Sequence, residues 1–393
     1  MELSKKILSV KPSATLAIAA KAKEMKSRGI DVISLSAGEP DFDTPSFIKD
    51  AAIDALKKGQ TKYTPVAGTL DLRQAVCRKL KRDQGLEFTP DQIVVGTGAK
   101  HAIFNVLFAL LNPGDEVLIP SPYWLSYPEM VTVIGGTNVF LPATEATDLK
   151  ITPDMLEKAI TPRSKVLILN SPSNPTGMVY SKEELLALIA VLKKYPQVLV
   201  LSDEIYEKLV FDGLKHWSIA QLDPDIAKRT ITVNGHSKAY AMTGWRLGYA
   251  ACPEKSLAKA VESIQSHSTS NPVSFTQAGG VAALDKGDEE ALKMKAVFEK
   301  RRDLFLSLLA KIECFKAVKP SGAFYIFVNV KKTGLSAFEV SKRLLEEAHV
   351  AVIPGEPFGS AEHIRLSYAT SEQEIRTAVE RMSAWVKKLS VSA

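Results

Sequence analysis

Through its middle the chain alternates short apolar runs with amphipathic stretches. Ile93-Val94-Val95, Glu116 to Ile119, Lys165 to Leu169, Val198 to Leu201, Thr230 to Val233 and Leu247 to Ala251 predict strands. His101 to Leu111 predicts a mostly apolar, buried helix, and Glu183 to Lys194 another. Apolar strands spaced by helices imply a parallel-rich sheet covered on both faces. Ligands on such sheets gather at the carboxyl ends of the strands.

The two ends of the chain read differently. An amphipathic helix is expected from about Ser13 to Arg28, leading to Gly38-Glu39-Pro40-Asp41. After about residue 290 a long helix is followed by a strand over Ala323 to Val330 and a helix over Ala337 to Ala348. Strands over Ala351 to Ile353 and His363 to Ser367 and a final helix complete the pattern. This predicts a large domain over residues 46–290 and a smaller α+β domain over 291–393, which residues 1–45 join.

Composition narrows the classes. Of 393 residues, 46% are apolar and 24% charged, so a large core needs no disulfide or metal. Fifty Lys and Arg against 44 Asp and Glu leave +6, unclustered, which makes no case for nucleic acid. No apolar run approaches the ~18 residues of a membrane span. Three scattered cysteines and no apparent signal peptide point to a reduced, cytoplasmic protein. The six histidines form no Cys/His cluster, so no metal site is expected.

Several segments carry candidate chemistry. Lys238 follows a β-rich run among small and hydroxyl residues; shielded there, it suits a nucleophile toward a carbonyl, although an exposed loop lysine has the same local pattern. Arg246 lies eight residues on, beyond Gly244; its fork suits a phosphate or an ordinary salt bridge. Asp203 ends the run Val198-Leu199-Val200-Leu201-Ser202, where a buried carboxylate needs a cationic partner, unless it merely caps a turn; Tyr206 follows three residues later. Asn170 to Gly177 forms a sharp turn that fixes Asn174, with Asn174-Pro175 a candidate cis bond. Gly96-Thr97-Gly98-Ala99-Lys100 joins a strand to a helix, a weak anion-site signal that is neither GxGxxG nor a Walker loop. Trp124, after Ser121-Pro122-Tyr123, suits a face over a planar ring or a core position.

Together these segments carry a resemblance. Ile33 to Pro45, Tyr63 to Gly68, Ser121 to Trp124, Asn174 to Gly177, Ser202 to Tyr206, Ser237-Lys238 and Arg365 to Ala369 occur in this order over nearly the whole chain. In them the chain resembles the class I, fold type I pyridoxal-phosphate aminotransferases, and within these the Iβ aspartate aminotransferase group. The resemblance implies an α/β fold with a large, mixed, mostly parallel sheet sandwiched by helices, a smaller α+β domain, and a homodimer with shared active sites. It implies pyridoxal 5′-phosphate linked to Lys238, with Asp203 paired to the pyridine nitrogen and Asn174 and Tyr206 on the phenolic oxygen. Trp124 would stack on the ring, and Gly98, Ala99, Ser237 and Arg246 would cradle the phosphate. Tyr63 would reach the phosphate of the neighbouring subunit. Arg365 would clamp the substrate α-carboxylate with Asn174 and the Gly38 backbone.

The implied reaction is ping-pong transfer of an amino group, the freed lysine moving the α-proton and the cofactor serving as electron sink. Lys100, in the Gly-Ala-Lys loop, and Thr15 are candidates for the distal carboxylate. The pair also resembles that of members that convert prephenate to arogenate. Aspartate, glutamate and their oxo acids are thus the expected substrates. A broad or aromatic/alanine aminotransferase and a β-lyase of the same fold are the alternatives.

Overall fold

The computed structural model describes residues 2–391; Met1, Ser392 and Ala393, at the ends of the two terminal segments, lie outside the described residues. Seven strands form the main sheet: β1 (Ile93–Thr97), β2 (Glu116–Ser121), β3 (Thr137–Pro142), β4 (Ser164–Asn170), β5 (Leu199–Asp203), β6 (Thr230–Gly235) and β7 (Leu247–Ala251). Their spatial order is β1-β7-β6-β5-β4-β2-β3. β7 runs antiparallel to both its neighbours and the other pairs are parallel.

Each inner strand feeds two cores because successive side chains point to opposite faces. Val166 and Ile168 join Val117 and Ile119 under the helix Ala99–Leu110, through Ile103, Val106 and Leu107. Leu167 and Leu169 join Leu118 on the other face, under Leu185, Leu188 and Ile189 of the helix Lys182–Leu192. That double burial explains why these strands read as unbroken apolar runs.

The second sheet is antiparallel, ordered Ile353–Pro354, His363–Ser367, Tyr325–Asn329, Lys316–Ala317. Ile326, Val328, Ile364 and Leu366 pack on Phe298 and Phe305 of the helix Asp288–Leu309 and on Ile375 and Met382 of the last helix. Ile33–Ser34 pairs in parallel with Val350–Ala351, which ties the N-terminal segment to this half of the molecule. The helix near the N-terminus spans Ala14–Ser27 and fully buries only Ala22, so it is less amphipathic than its sequence suggested. The strand expected over Ala351 to Ile353 is two short pairings, Val350–Ala351 and Ile353–Pro354, made with different partners.

Candidate active site

β1, β2, β4, β5 and β6 run in the same direction, so their carboxyl ends share one edge of the sheet. From that edge come Gly98 and Ala99 after β1, Trp124 after β2, Asn174 after β4, Asp203 at the end of β5, and Ser237 and Lys238 after β6. A cavity of about 590 Å³ opens there. Thr15, Gly38, Ala99, Lys100, Trp124, Asn174, Asp203, Tyr206, Ser237, Lys238, Arg246 and Arg365 all line it. Gly98 does not line it but touches Arg246, which does. Tyr63 does not join the cavity: it is 90% exposed and lines a separate groove with Gln60 and Ser274.

Lys238 and Asp203 bring buried groups of opposite charge to the cavity. The Lys238 ammonium donates to the Gly38 carbonyl and lies 5.9 Å from the Phe324 ring centroid. Burial lowers its pKa to about 8; Glu39 opposes that, and Arg365, Arg246 and Lys100 add to it. Such a lysine yields a free amine far more readily than an exposed one. Asp203 is 4% exposed, and burial raises its pKa to about 6 against the pull of hydrogen bonds from Tyr127 and the Ile205 N–H. Behind it Glu204 accepts from Ser202, Ser218 and Gln84, so two adjacent carboxylates are buried at one strand end.

The anion cradle is built by close approach. Arg246 Nη1 donates to Thr243 O at 2.8 Å and Nη2 to Thr97 O at 3.3 Å. Gly98, at φ 87°, starts the helix Ala99–Leu110; a Cβ there would sit 2.5 Å from Arg246 Nη2. Glycine is therefore required both by the backbone and by the guanidinium lying against it. The helix N-terminus adds free N–H groups of the sign an anion needs.

Arg365, 2% exposed, lies across the cavity floor. Nη1 donates to Asn174 Oδ1 and Nη2 to Ser36 O, both at 3.0 Å, while Nε is buried without a partner. Its carbon lies 4.4 Å from the Tyr325 ring centroid. Asn174 is fixed by its own N–H to Asn170 Oδ1 at 2.9 Å, and the Asn174–Pro175 bond is cis. Tyr206 shares a 3.0 Å hydrogen bond with Tyr325. Lys100 Nζ stands 4.8 Å over the Trp124 ring, its pKa lowered by burial and by Arg246. Thr15 Oγ1 is buried with no partner.

Sequence reasoning missed Tyr127, Tyr325, Glu39, Ser36 and Asn170, all of which touch these groups or line the cavity. Glu39 and Ser36, inside Ile33 to Pro45, and Asn170, at the start of the turn Asn170 to Gly177, lay in distinctive segments, whereas Tyr127 and Tyr325 carried no local signal. Tyr127 meets Asp203 from 76 residues away and Tyr325 meets Tyr206 from 119.

Fold and site together define an α/β enzyme in which a lysine of lowered proton affinity, a buried carboxylate and two arginine forks face one cavity. The family of class I and II aminotransferases matches residues 30–382, and the chain belongs to that family. It is 49% identical to the aspartate aminotransferase of Geobacillus stearothermophilus, over 98% of this chain and 99% of the relative. It is 47% identical to the aspartate/prephenate aminotransferase of Cereibacter sphaeroides, over 99% of each. Among solved structures it is similar to the aspartate aminotransferase of Rhizobium meliloti, at 43% identity and TM-score 0.95 over 98% of this chain and 99% of that one. The Thermus thermophilus aspartate aminotransferase with maleate matches at 44% identity and TM-score 0.94, with the same coverage.

Proposed function

We propose that this aminotransferase moves the amino group between L-aspartate or L-glutamate and their 2-oxo acids, with pyridoxal 5′-phosphate bound at Lys238. The observation that carries the proposal is the convergence of Lys238, Asp203, Arg246 and Arg365 on one cavity. The residues fit the cofactor: Asp203 is a buried carboxylate without an adjacent cation in contact, Arg246 and the helix start offer an anion cradle, and Trp124 offers a ring face. Once bound, the cofactor supplies an electron sink for the carbanion formed at the substrate Cα.

The chain's own residues do the rest. Lys238, the amine of lowered proton affinity, holds the cofactor and then takes and returns the substrate α-proton. Asp203 keeps the pyridine nitrogen protonated, since an adjacent opposite charge favours the charged form. Arg365 grips the α-carboxylate as a fork, with Nε still to be satisfied, and Asn174 holds that fork in place. Gly38 presents its carbonyl beside Lys238. Lys100 and the Thr15 hydroxyl receive a second carboxylate, which accords with the four-carbon diacid maleate carried by the Thermus relative. The same two residues suit prephenate, whose amination is named for the Cereibacter relative. Tyr63, exposed and outside the cavity, is assigned to the neighbouring site of a homodimer. No helix among the described residues is long and apolar enough to cross a membrane.

The test is the half-reaction. Cofactor-loaded protein is mixed with L-aspartate, L-glutamate, L-phenylalanine or L-alanine while the cofactor absorbance is followed. Fast conversion by the two acidic amino acids is expected. Conversion only by phenylalanine or alanine would overturn the substrate assignment, and conversion by none would favour a lyase.

A further inference from the structure

Tyr127 sits in the first turn of the helix Ser126–Ile134 and is 2% exposed. Its hydroxyl donates to Asp203 Oδ2 at 2.6 Å. Its ring meets Trp124 edge to face, with centroids 5.2 Å apart and planes at 86°. One side chain thus touches both the carboxylate at the end of β5 and the aromatic ring that lines the same cavity. We propose that Tyr127 is a positioning residue for the amino transfer, holding the Asp203 carboxylate ionised and aimed at the cofactor's pyridine nitrogen; this rests on the pyridoxal-phosphate reading above.

The argument is one of competing surroundings. Asp203 is enclosed, and burial disfavours its anion. The titratable groups facing it are Glu204, Tyr206, Lys238 and Tyr127. Glu204 and Tyr206 give the anion no help, and Lys238 favours it through charge alone. Tyr127 supplies the side-chain hydrogen bond; the other donor is the Ile205 backbone N–H, at 3.3 Å on Oδ1. Burial and the nearby carboxylate hold the Tyr127 proton far above the usual phenol range, so it stays a donor throughout the neutral range. A phenol at this distance from an anion makes a charge-assisted bond, among the stronger kinds. Without it, Oδ2 is left bare in a buried site, and the proton shared between Asp203 and the ring nitrogen moves toward the carboxyl.

Tyr127→Phe keeps the ring against Trp124 and removes only the hydroxyl. The holoenzyme is loaded with pyridoxal phosphate carrying 15N in its ring. Three readouts are taken: the 15N chemical shift, the pH midpoint of the visible absorbance, and the single-turnover rate with L-aspartate. In the variant the Lys238-linked absorbance is expected to form normally. The 15N signal should move toward that of neutral pyridine, and the midpoint should rise by about one pH unit as the ring ceases to repel the proton on the lysine-linked nitrogen. The half-reaction should slow about tenfold, with the aspartate concentration dependence kept because Arg365 is untouched. In an Asp203→Asn background the same substitution should change nothing further. A normal absorbance with wild-type 15N shift and midpoint would overturn the proposal, as would equal slowing in the Asp203→Asn background. A wild-type protein that forms no Lys238-linked absorbance would instead overturn the cofactor reading and the proposal with it.

Discussion

Replacing Lys238 by Met should make the cofactor-free protein more stable at neutral pH. An ordinary lysine has a pKa of 10.5, and burial brings Lys238 to about 8. At pH 7 the group is protonated in both folded and unfolded chains, so the folded state carries the whole penalty of a buried, ill-paired ammonium. A gap of about 2.5 units corresponds to about 3 kcal/mol. The sign follows from proton counts. Between pH 8 and 10.5 the unfolded chain binds more protons at this site than the folded one, so wild-type stability rises with pH in that window. Below pH 8 the penalty is constant, and above 10.5 it is gone. Lys238→Met removes the charge and keeps most of the aliphatic stem against Phe324. Urea unfolding of both proteins, stripped of cofactor, is compared at pH 7 and at pH 10. The variant is expected to be ahead by about 3 kcal/mol at pH 7 and by only about 0.8 kcal/mol at pH 10. Equal stability at pH 7, or a constant gap at both pH values, would refute the idea that burial holds this lysine near neutrality. The same variant should have no measurable transamination, the trade-off between stability and function placed at one atom.

Three further outcomes follow from the site. Gly98→Ala puts a methyl 2.5 Å from Arg246 Nη2 at φ 87°, and Arg246 cannot retreat without leaving the Thr243 and Thr97 carbonyls; apoprotein titrated with pyridoxal phosphate should bind about 10- to 100-fold more weakly. Arg365→Ala should raise KM for aspartate and alanine alike by about 100-fold, because the α-carboxylate is common to both, as steady-state assays with each donor would show. Lys100→Ala should raise KM for aspartate about tenfold and leave alanine within about twofold; equal loss of both would dissolve the division of labour between the two cations.

The parts of the fold that could be read directly are those in which burial is symmetric. β4 and β5 pack on both faces, so their apolar runs stood out; the polar ends Ser164, Asn170, Ser202 and Asp203 lay beyond the expected bounds, and Val198 falls just before β5. β3 escaped notice because it is the outer strand: Thr137 and Phe140 are exposed and only Leu141 is fully buried. The helix Leu70–Gln84 hides a core position behind a charge, since Lys79 is 1% exposed and pairs with Glu207 and Asp83. The lysine, the aspartate and Arg246 were legible because each ends, follows or leads into a strand within a distinctive short motif; Arg365, in the middle of the strand His363–Ser367, was legible only through the segment Arg365 to Ala369 that carries the resemblance. Tyr127 and Tyr325 were not, because an ordinary core tyrosine and a hydrogen-bonding one have the same local sequence, and their partners come from other parts of the chain.

The cavity is electrostatically unfinished, and that bears on how its two ends communicate. Lys100, Lys238, Arg246 and Arg365 face Asp203 and Glu39, four cations to two anions. Burial drives the ionisable groups toward neutrality: Lys238, Lys100 and Arg365 lose proton affinity and Asp203 gains it. Arg246 then contributes a second push on both lysines by like-charge repulsion. An anion seated on Arg246 would cancel that push, so a phosphate at the helix start raises the proton affinity of Lys100. Lys100, above Trp124, is also the cation proposed to meet a second carboxylate. Occupation of the anion cradle therefore favours the ammonium form of Lys100 without moving a residue, through charge alone. Since the coupling is reciprocal, a proton held on Lys100 favours the anion on the cradle in return.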